Sequence, residues 1–143
     1  MNSNKLLIGG IVGGVAFFLL GWIIFGMLLM NMMAENSTPG AAAVMRHPME
    51  MWAMVVSCFA FGFLVAFIFS RYAALPSVGT ALQHGALIGL LFSATHNFGE
   101  YSMTTLMTMD NLVIHVAAYA VYSSLGSAII VWVMGRGNKS TAA

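Results

Sequence analysis

The 25 residues at positions 6–30, LLIGGIVGGVAFFLLGWIIFGMLLM, contain no ionisable side chain. As an α-helix this stretch would be about 37 Å long, because each residue adds about 1.5 Å. The hydrocarbon layer of a bilayer is about 30 Å thick. The stretch therefore predicts a tilted transmembrane helix, and it is too long for the apolar core of a cleaved signal peptide.

The rest of the chain has the same character. Of its 143 residues, 60% are hydrophobic and only 6% are charged, whereas about a quarter of the residues in soluble domains are charged. We expect an all-α, integral membrane four-helix bundle in a single domain, residues 1–143, which leaves no room for a soluble domain. The predicted spans are residues 6–30, 51–70, 80–98 and 112–134, and residues 31–50 form the long outer loop.

The distribution of charge argues against nucleic-acid binding, and the absence of catalytic motifs argues against an enzyme. The net charge of +1 comes from scattered side chains with no basic stripe, so nucleic acid is not an expected partner. The single cysteine, Cys58, cannot form an intramolecular disulfide and is interpreted as a small packing residue. Motifs for a nucleophile, a P-loop, a dinucleotide or a zinc protease are absent. The sequence therefore favours a non-enzymatic protein.

Small residues recur at helical spacing in two of the predicted spans. The first span carries a glycine-rich run, and the third carries small or polar residues at every fourth position from Gly85 through Gly89 and Ser93 to Asn97. Small residues let helix backbones approach closely inside a membrane. The expected partners are the lipid bilayer and, through such surfaces, a second copy or the other subunits of a membrane complex. The glycines of the first span that form such small-residue pairs are Gly9, Gly10, Gly13, Gly14 and Gly21.

The basic residues predict the orientation. Four spans place Lys5, Arg71, Arg136 and Lys139 on one side of the membrane and Arg46 on the other. Cytoplasmic loops and ends carry an excess of lysine and arginine. Both termini are therefore expected to be cytoplasmic, with the loop at 31–50 on the outer side.

Residues 93–101, SATHNFGEY, bring ionisable side chains into the third span. His96 and Glu100 are four residues apart, and His115 lies at a similar depth in the fourth span. We expect His96 and Glu100 to project near the packed face rather than to lipid. Two imidazoles and a carboxylate could bind a divalent metal. A structural hydrogen-bonded cluster and a site that handles protons or a ligand are the alternatives. No cofactor is required by the sequence, and a metal is possible.

Methionine is concentrated on the predicted outer side. Thioether sulfur is a soft ligand suited to Cu(I), although methionine also serves as a flexible filler at helix ends. The second functional hypothesis is therefore transport or binding of a copper-like metal or a small solute through an outer Met/His/Glu cluster. The residues concerned, eleven of the 13 methionines, are Met27, Met30, Met32, Met33, Met45, Met49, Met51, Met54, Met103, Met107 and Met109.

Three segments carry a resemblance to a known family. They are GWIIFG at 21–26, NFGE at 97–100, and DNLVIH at 110–115 followed by Gly126 and Trp132. Together they resemble a family of small bacterial four-helix inner-membrane proteins known as a domain of unknown function, over most of the chain. The resemblance implies the fold and an inner-membrane location, and it brings no catalytic residues.

The leading functional hypothesis follows from the glycine-rich surfaces. We expect a small accessory or scaffold subunit of a membrane complex, or a homo-oligomer. A quinone- or lipid-modifying enzyme is a third hypothesis, which depends on the polar cluster alone.

Overall fold

The computed structural model describes residues 3–71 and 76–136, and it is all-α. Four of its helical segments are long and apolar enough to cross a membrane, so the chain is a multi-pass membrane protein. The helices are α1 (Ser3–Ile23), continued by a π-helical turn (Ile24–Leu28), α2 (Met30–Glu35), α3 (Pro39–Val44), α4 (Met51–Ser70), α5 (Val78–Met103) and α6 (Met109–Arg136).

Helices α1 and α4 pack backbone against backbone. A β-carbon on Gly62 of α4 would lie 2.7 Å from the carbonyl carbon of Gly13 and 2.9 Å from the carbonyl oxygen of Gly10. The side-chain rings of Phe63 and Phe59 of α4 lie directly over Gly10 and Gly14 of α1. The glycine run of α1 is therefore a contact surface for a neighbouring helix, as its spacing predicts.

Helices α5 and α6 form the second close pair. The predicted every-fourth series of α5 is buried and begins one step earlier, at Ala81. Side chains on Gly85 and Gly89 would collide with Ser127, Ser123 and the carbonyl group of Tyr119 in α6. The hydroxyl of Ser124 also donates to the carbonyl oxygen of Leu82 across this interface at 2.9 Å.

The contacts of α1 define the direction of its neighbours. A β-carbon on Gly9 would meet Met134 of α6 and Ala66 of α4, whereas Gly21 lies beside Tyr122. Helices α4 and α6 therefore run antiparallel to α1, and Lys5, Arg71 and Arg136 share one end of the bundle. We call this the terminal end, and the opposite end, with residues 31–50 and 104–108, the loop end.

Two cations at the terminal end lie over aromatic rings. The guanidinium carbon of Arg71 is 4.7 Å from the ring centre of Phe67, and that of Arg136 is 3.7 Å from Trp132. Such pairs keep the charge at the membrane surface while the aromatic body stays in the apolar layer. Trp132 thus contacts a cation near the end of the last span, where tryptophan anchors are common in membrane proteins.

Aromatic rings from all four spans meet in the middle of the bundle. Phe17 of α1 is fully buried, and its ring centre is 4.8 Å from Phe61 of α4 and 4.8 Å from Tyr122 of α6. Phe61 in turn lies 5.1 Å from Phe92 of α5. Cys58 is buried beside them, as expected for a packing residue.

The helix boundaries differ from the hydropathy pattern at the loop end. The segment 31–50 is not a continuous loop, because it contains most of α2 and all of α3. Helix α5 continues to Met103, five residues beyond the predicted limit of 98, since the polar residues there lower the hydropathy without breaking the helix. At the start of α6, Asp110 lies in the first turn, and the hydroxyl of Thr108 caps the helix by accepting from the Asn111 amide at 3.1 Å.

Candidate functional site

The three predicted site residues lie toward the loop end of the bundle. His96 and Glu100 are one turn apart on α5, with Nε2 and Oε2 separated by 3.8 Å. His115 of α6 lies within electrostatic range of both. The two helices therefore bring the predicted side chains to a similar depth, as expected for antiparallel neighbours with a short connection.

His96 does not face the packed surface, and this expectation is wrong. Its side chain is 75% exposed, and that of Glu100 is 34% exposed. Asn97 is the buried residue of this turn, and its amide donates to the carbonyl and hydroxyl oxygens of Ser93, one turn earlier on α5, at 2.8 Å. His96 precedes it by one residue and is rotated by about 100° around the helix. The imidazole therefore points out of the bundle.

The contact between His96 and Glu100 is weak. At 3.8 Å the two atoms are beyond the distance of a hydrogen bond, and an ion pair one turn apart on an exposed helix contributes about 0.3–0.5 kcal/mol. Each group therefore keeps most of its capacity to bind something else.

His115 has a different environment from His96. Its ring stacks on Phe25 of the π-helical turn, with ring centres 6.0 Å apart and planes inclined by 25°.

Among residues 3–71 and 76–136, no three His, Cys, Asp or Glu side chains form a group that could hold a metal ion. The proposed metal ligands His96, Glu100 and His115 are near one another without forming such a group, and the metal hypothesis stays a prediction.

A network of loop hydrogen bonds lies beside these residues, and the sequence pattern did not reveal it. Thr108 donates to the carbonyl oxygen of Asn36 at 2.6 Å, and Thr38 donates to that of Leu106 at 3.0 Å. The buried amide of Asn111 donates to the hydroxyl of Ser37 at 3.3 Å. The segments 36–38 and 104–108 are thus joined into one cap. The only local signal is the number of threonines, serines and asparagines in these two connections.

The first two turns of α4 are the least covered part of the bundle. All seven residues from 51 to 57 are exposed. Seven consecutive residues cover every direction around a helix, since one turn takes about 3.6 residues. This segment therefore projects away from the other helices, and close packing of α4 begins at Cys58.

The methionines of the loop end are also accessible. Of the eleven predicted on this side, nine have exposed side chains. Their thioethers therefore face lipid or the membrane surface rather than fill the core. The exposed set is Met27, Met30, Met32, Met45, Met49, Met51, Met54, Met103 and Met109.

Comparison of the chain with protein-family models, with curated proteins and with solved structures gave no match.

Proposed function

We propose that the protein is a non-enzymatic membrane component that associates with a second copy of itself through the exposed face of α4. The observation that carries the proposal is the exposure of residues 51–57 on every side. The terminal half of the same helix is packed so closely that Gly62 touches the backbone of α1. The terminal half of α4 thus packs within the bundle, and the half at the loop end is available to a partner.

The small residues of α4 support this division. Cys58, Gly62 and Ala66 form a buried stripe at every fourth position. Ala53, Ser57 and Ala60 are all exposed. At about 100° per residue, this second stripe lies on the opposite side of the helix from the first. Association of helices in lipid depends on van der Waals packing, for which small residues are suited, and the first stripe already packs against α1.

Cross-linking in the bilayer tests the proposal. In a Cys58→Ala background, Ser57→Cys places a thiol on the exposed stripe, and Val121→Cys places one on the exposed side of α6. Mild oxidation in nanodiscs or vesicles should give a covalent dimer with the first variant only. Equal cross-linking of both, or a monomer at every protein-to-lipid ratio, would contradict a specific contact of α4. Stoichiometric association with a different chain would instead favour an accessory subunit.

A size-increasing substitution gives an independent test. Ala60→Leu adds bulk to the exposed stripe without touching the core, so the fold should persist while dimerisation weakens. Ala117→Leu makes the same change at an exposed position of α6, outside the proposed contact, and serves as the matched control. The fraction of dimer, measured by sedimentation or photobleaching, should fall only in the first variant.

The proposed location is a bacterial inner membrane, with cytoplasmic termini. The support for the orientation is the charge distribution, since Lys5, Arg71 and Arg136 share the terminal end and the loop end carries Arg46. Lys139, the fourth cation of this prediction, lies outside the described residues. Met45 is exposed at the loop end, so Met45→Cys in the Cys58→Ala background should react with a membrane-impermeant maleimide added to spheroplasts. Reaction only after lysis would reverse the orientation.

Soft-metal binding is a second candidate, favoured by the exposure of nine methionines at the loop end. Purified protein incubated with Cu(I) and passed through a desalting column should retain metal by elemental analysis. His96→Ala and His115→Ala variants would then show whether the imidazoles contribute. Absence of retained copper in the unmodified protein would end this hypothesis.

A further inference from the structure

A shallow, widely open groove of about 700 Å³ lies on the surface of α5 toward the loop end. Its lining residues are Leu91, Phe92, Thr95, His96, Gly99 and Glu100. Since every one of them belongs to α5, the groove opens away from the bundle and toward the bilayer. A β-carbon on Gly99 would have no neighbouring atom within 4 Å, so the absence of a side chain at this position leaves the groove free.

The groove combines an ionisable end with an apolar end. His96 and Glu100 lie one turn apart at the end nearer the loop, and Leu91 and Phe92, 56% and 46% exposed, lie nearer the middle of the membrane. Ionisable groups on a membrane-spanning helix are costly unless they find a polar partner. The 3.8 Å contact between these two side chains is too long to satisfy either of them.

The depth of the pair matches the boundary between hydrocarbon and headgroups. Helix α5 has 26 residues, about 39 Å at about 1.5 Å per residue, and therefore exceeds the hydrocarbon layer by roughly 9 Å. Glu100 is three residues from the end at Met103, about 4.5 Å along the helix axis. With α5 centred in the bilayer, the carboxylate lies where the hydrocarbon ends and lipid headgroups begin.

We propose that this groove binds an aminophospholipid of the leaflet at the loop end. The carboxylate of Glu100 accepts hydrogen bonds from the lipid's primary ammonium group, and the imidazole of His96 donates an N–H to its phosphate. An imidazole has an N–H donor in either protonation state, so the contact does not require a charged histidine. One acyl chain lies along Leu91 and Phe92. Glu100 thus offers an anion to the ammonium of the zwitterionic headgroup, and His96 offers a hydrogen-bond donor to its phosphate.

The chemistry predicts which lipids are excluded. A primary ammonium has three N–H donors, whereas the trimethylammonium of a choline lipid has none for the carboxylate. A glycerol headgroup supplies the phosphate without a cation, and it brings a second negative charge close to Glu100. Recognition should therefore favour ethanolamine over both choline and glycerol headgroups. The site is on α5, away from the exposed stripe of α4, and does not depend on self-association.

Native mass spectrometry of the full chain tests the site. Protein in nanodiscs with equal amounts of phosphatidylethanolamine, phosphatidylcholine and phosphatidylglycerol should retain phosphatidylethanolamine preferentially after release into the gas phase. Glu100→Gln should reduce its retention about tenfold, because a hydrogen bond to a charged group is lost. Glu50→Gln is the matched control: Glu50 also has a basic side chain four residues away, Arg46, but lies outside the spans. It should leave retention unchanged.

A second variant addresses the groove without changing its charge. Gly99→Leu fills the open space and should abolish retention, while the unfolding midpoint in detergent stays close to that of the unmodified protein. Equal retention of the three headgroups, or retention unaffected by both Glu100→Gln and Gly99→Leu, would overturn the proposal. The proposal would also be overturned if Gly99→Leu reduced the fraction of dimer without changing the amount of bound lipid, because the groove would then be a contact between protein chains.

Discussion

Replacing Gly62 by alanine should destabilise the bundle, although alanine is the better helix former. The added methyl group would lie 2.7 Å from the carbonyl carbon of Gly13 and 2.9 Å from the carbonyl oxygen of Gly10, and it would also meet the amide nitrogen of Gly14. All three atoms are backbone of α1. No side-chain rotation can relieve the collision, so α1 and α4 must move apart.

The size of the effect follows from that movement. Ordinary van der Waals contact begins near 3.4 Å, so the gap from Gly13 must widen by about 0.7 Å. A separation of about 0.5–1 Å loses a quarter to a half of the attraction between contacting atoms, and overpacking costs about 1–3 kcal/mol. Higher helix propensity offsets about 1 kcal/mol of this cost. The net loss in the free energy of unfolding should be up to about 2 kcal/mol.

Gly99→Ala is the matched control, because it is the same change inside another long helix with no atom within 4 Å of the new methyl group. Helix propensity alone then acts, and the free energy of unfolding should rise by up to about 1 kcal/mol. Equilibrium unfolding in mixed micelles, followed by circular dichroism, measures both variants. Changes of the same sign and size in the two proteins would refute the argument that backbone contact between α1 and α4 limits stability.

Four further changes have distinct expected outcomes, the first three in the same unfolding assay and the fourth by amide hydrogen exchange. Phe17→Ala removes a fully buried ring from the aromatic centre and should cost about 3–5 kcal/mol. Ser124→Ala loses a 2.9 Å hydrogen bond between helices and should cost about 1 kcal/mol. Ser127→Ala should instead stabilise by about 1 kcal/mol, since the Ser127 hydroxyl is buried without a partner in the described part of the chain. Thr108→Val removes the bond to Asn36 and the cap of α6, and should speed amide exchange at 36–38 by about tenfold while leaving the centre of the bundle protected.

Hydropathy and small-residue spacing were sufficient to predict the spans and the faces that pack. Helix α4 coincides with the predicted span at 51–70, because Glu50 and Arg71 bound an uninterrupted apolar run. The every-fourth series from Gly85 to Asn97 is buried as expected. In the first case apolarity alone determines where the helix begins and ends. In the second case the absence of side-chain bulk determines which face of the helix packs.

The direction of the ionisable residues was not predictable in the same way. Helical spacing placed His96 beside the packed series, yet a rotation of about 100° from Asn97 turns its ring out of the bundle. Whether that flank is covered depends on where the neighbouring helices lie, and this is a property of tertiary packing. The cap that joins 36–38 to 104–108 is similarly hidden, because its hydrogen bonds link residues as far apart in sequence as Asn36 and Thr108.

The uneven distribution of close contacts explains why both proposed binding surfaces lie toward the loop end. The glycines that would collide with a neighbouring helix, such as Gly13, Gly62, Gly89 and Gly126, all lie in the terminal half of their helices. In the other half, a β-carbon on Gly21 would meet only ordinary contacts, and one on Gly99 would meet none. Contacts between backbones are rigid, because no side chain can adjust to a displaced partner. A bundle fixed at its terminal half can leave the α4 stripe and the α5 groove uncovered without losing its fold, and those surfaces are then free to bind a second copy and a lipid headgroup.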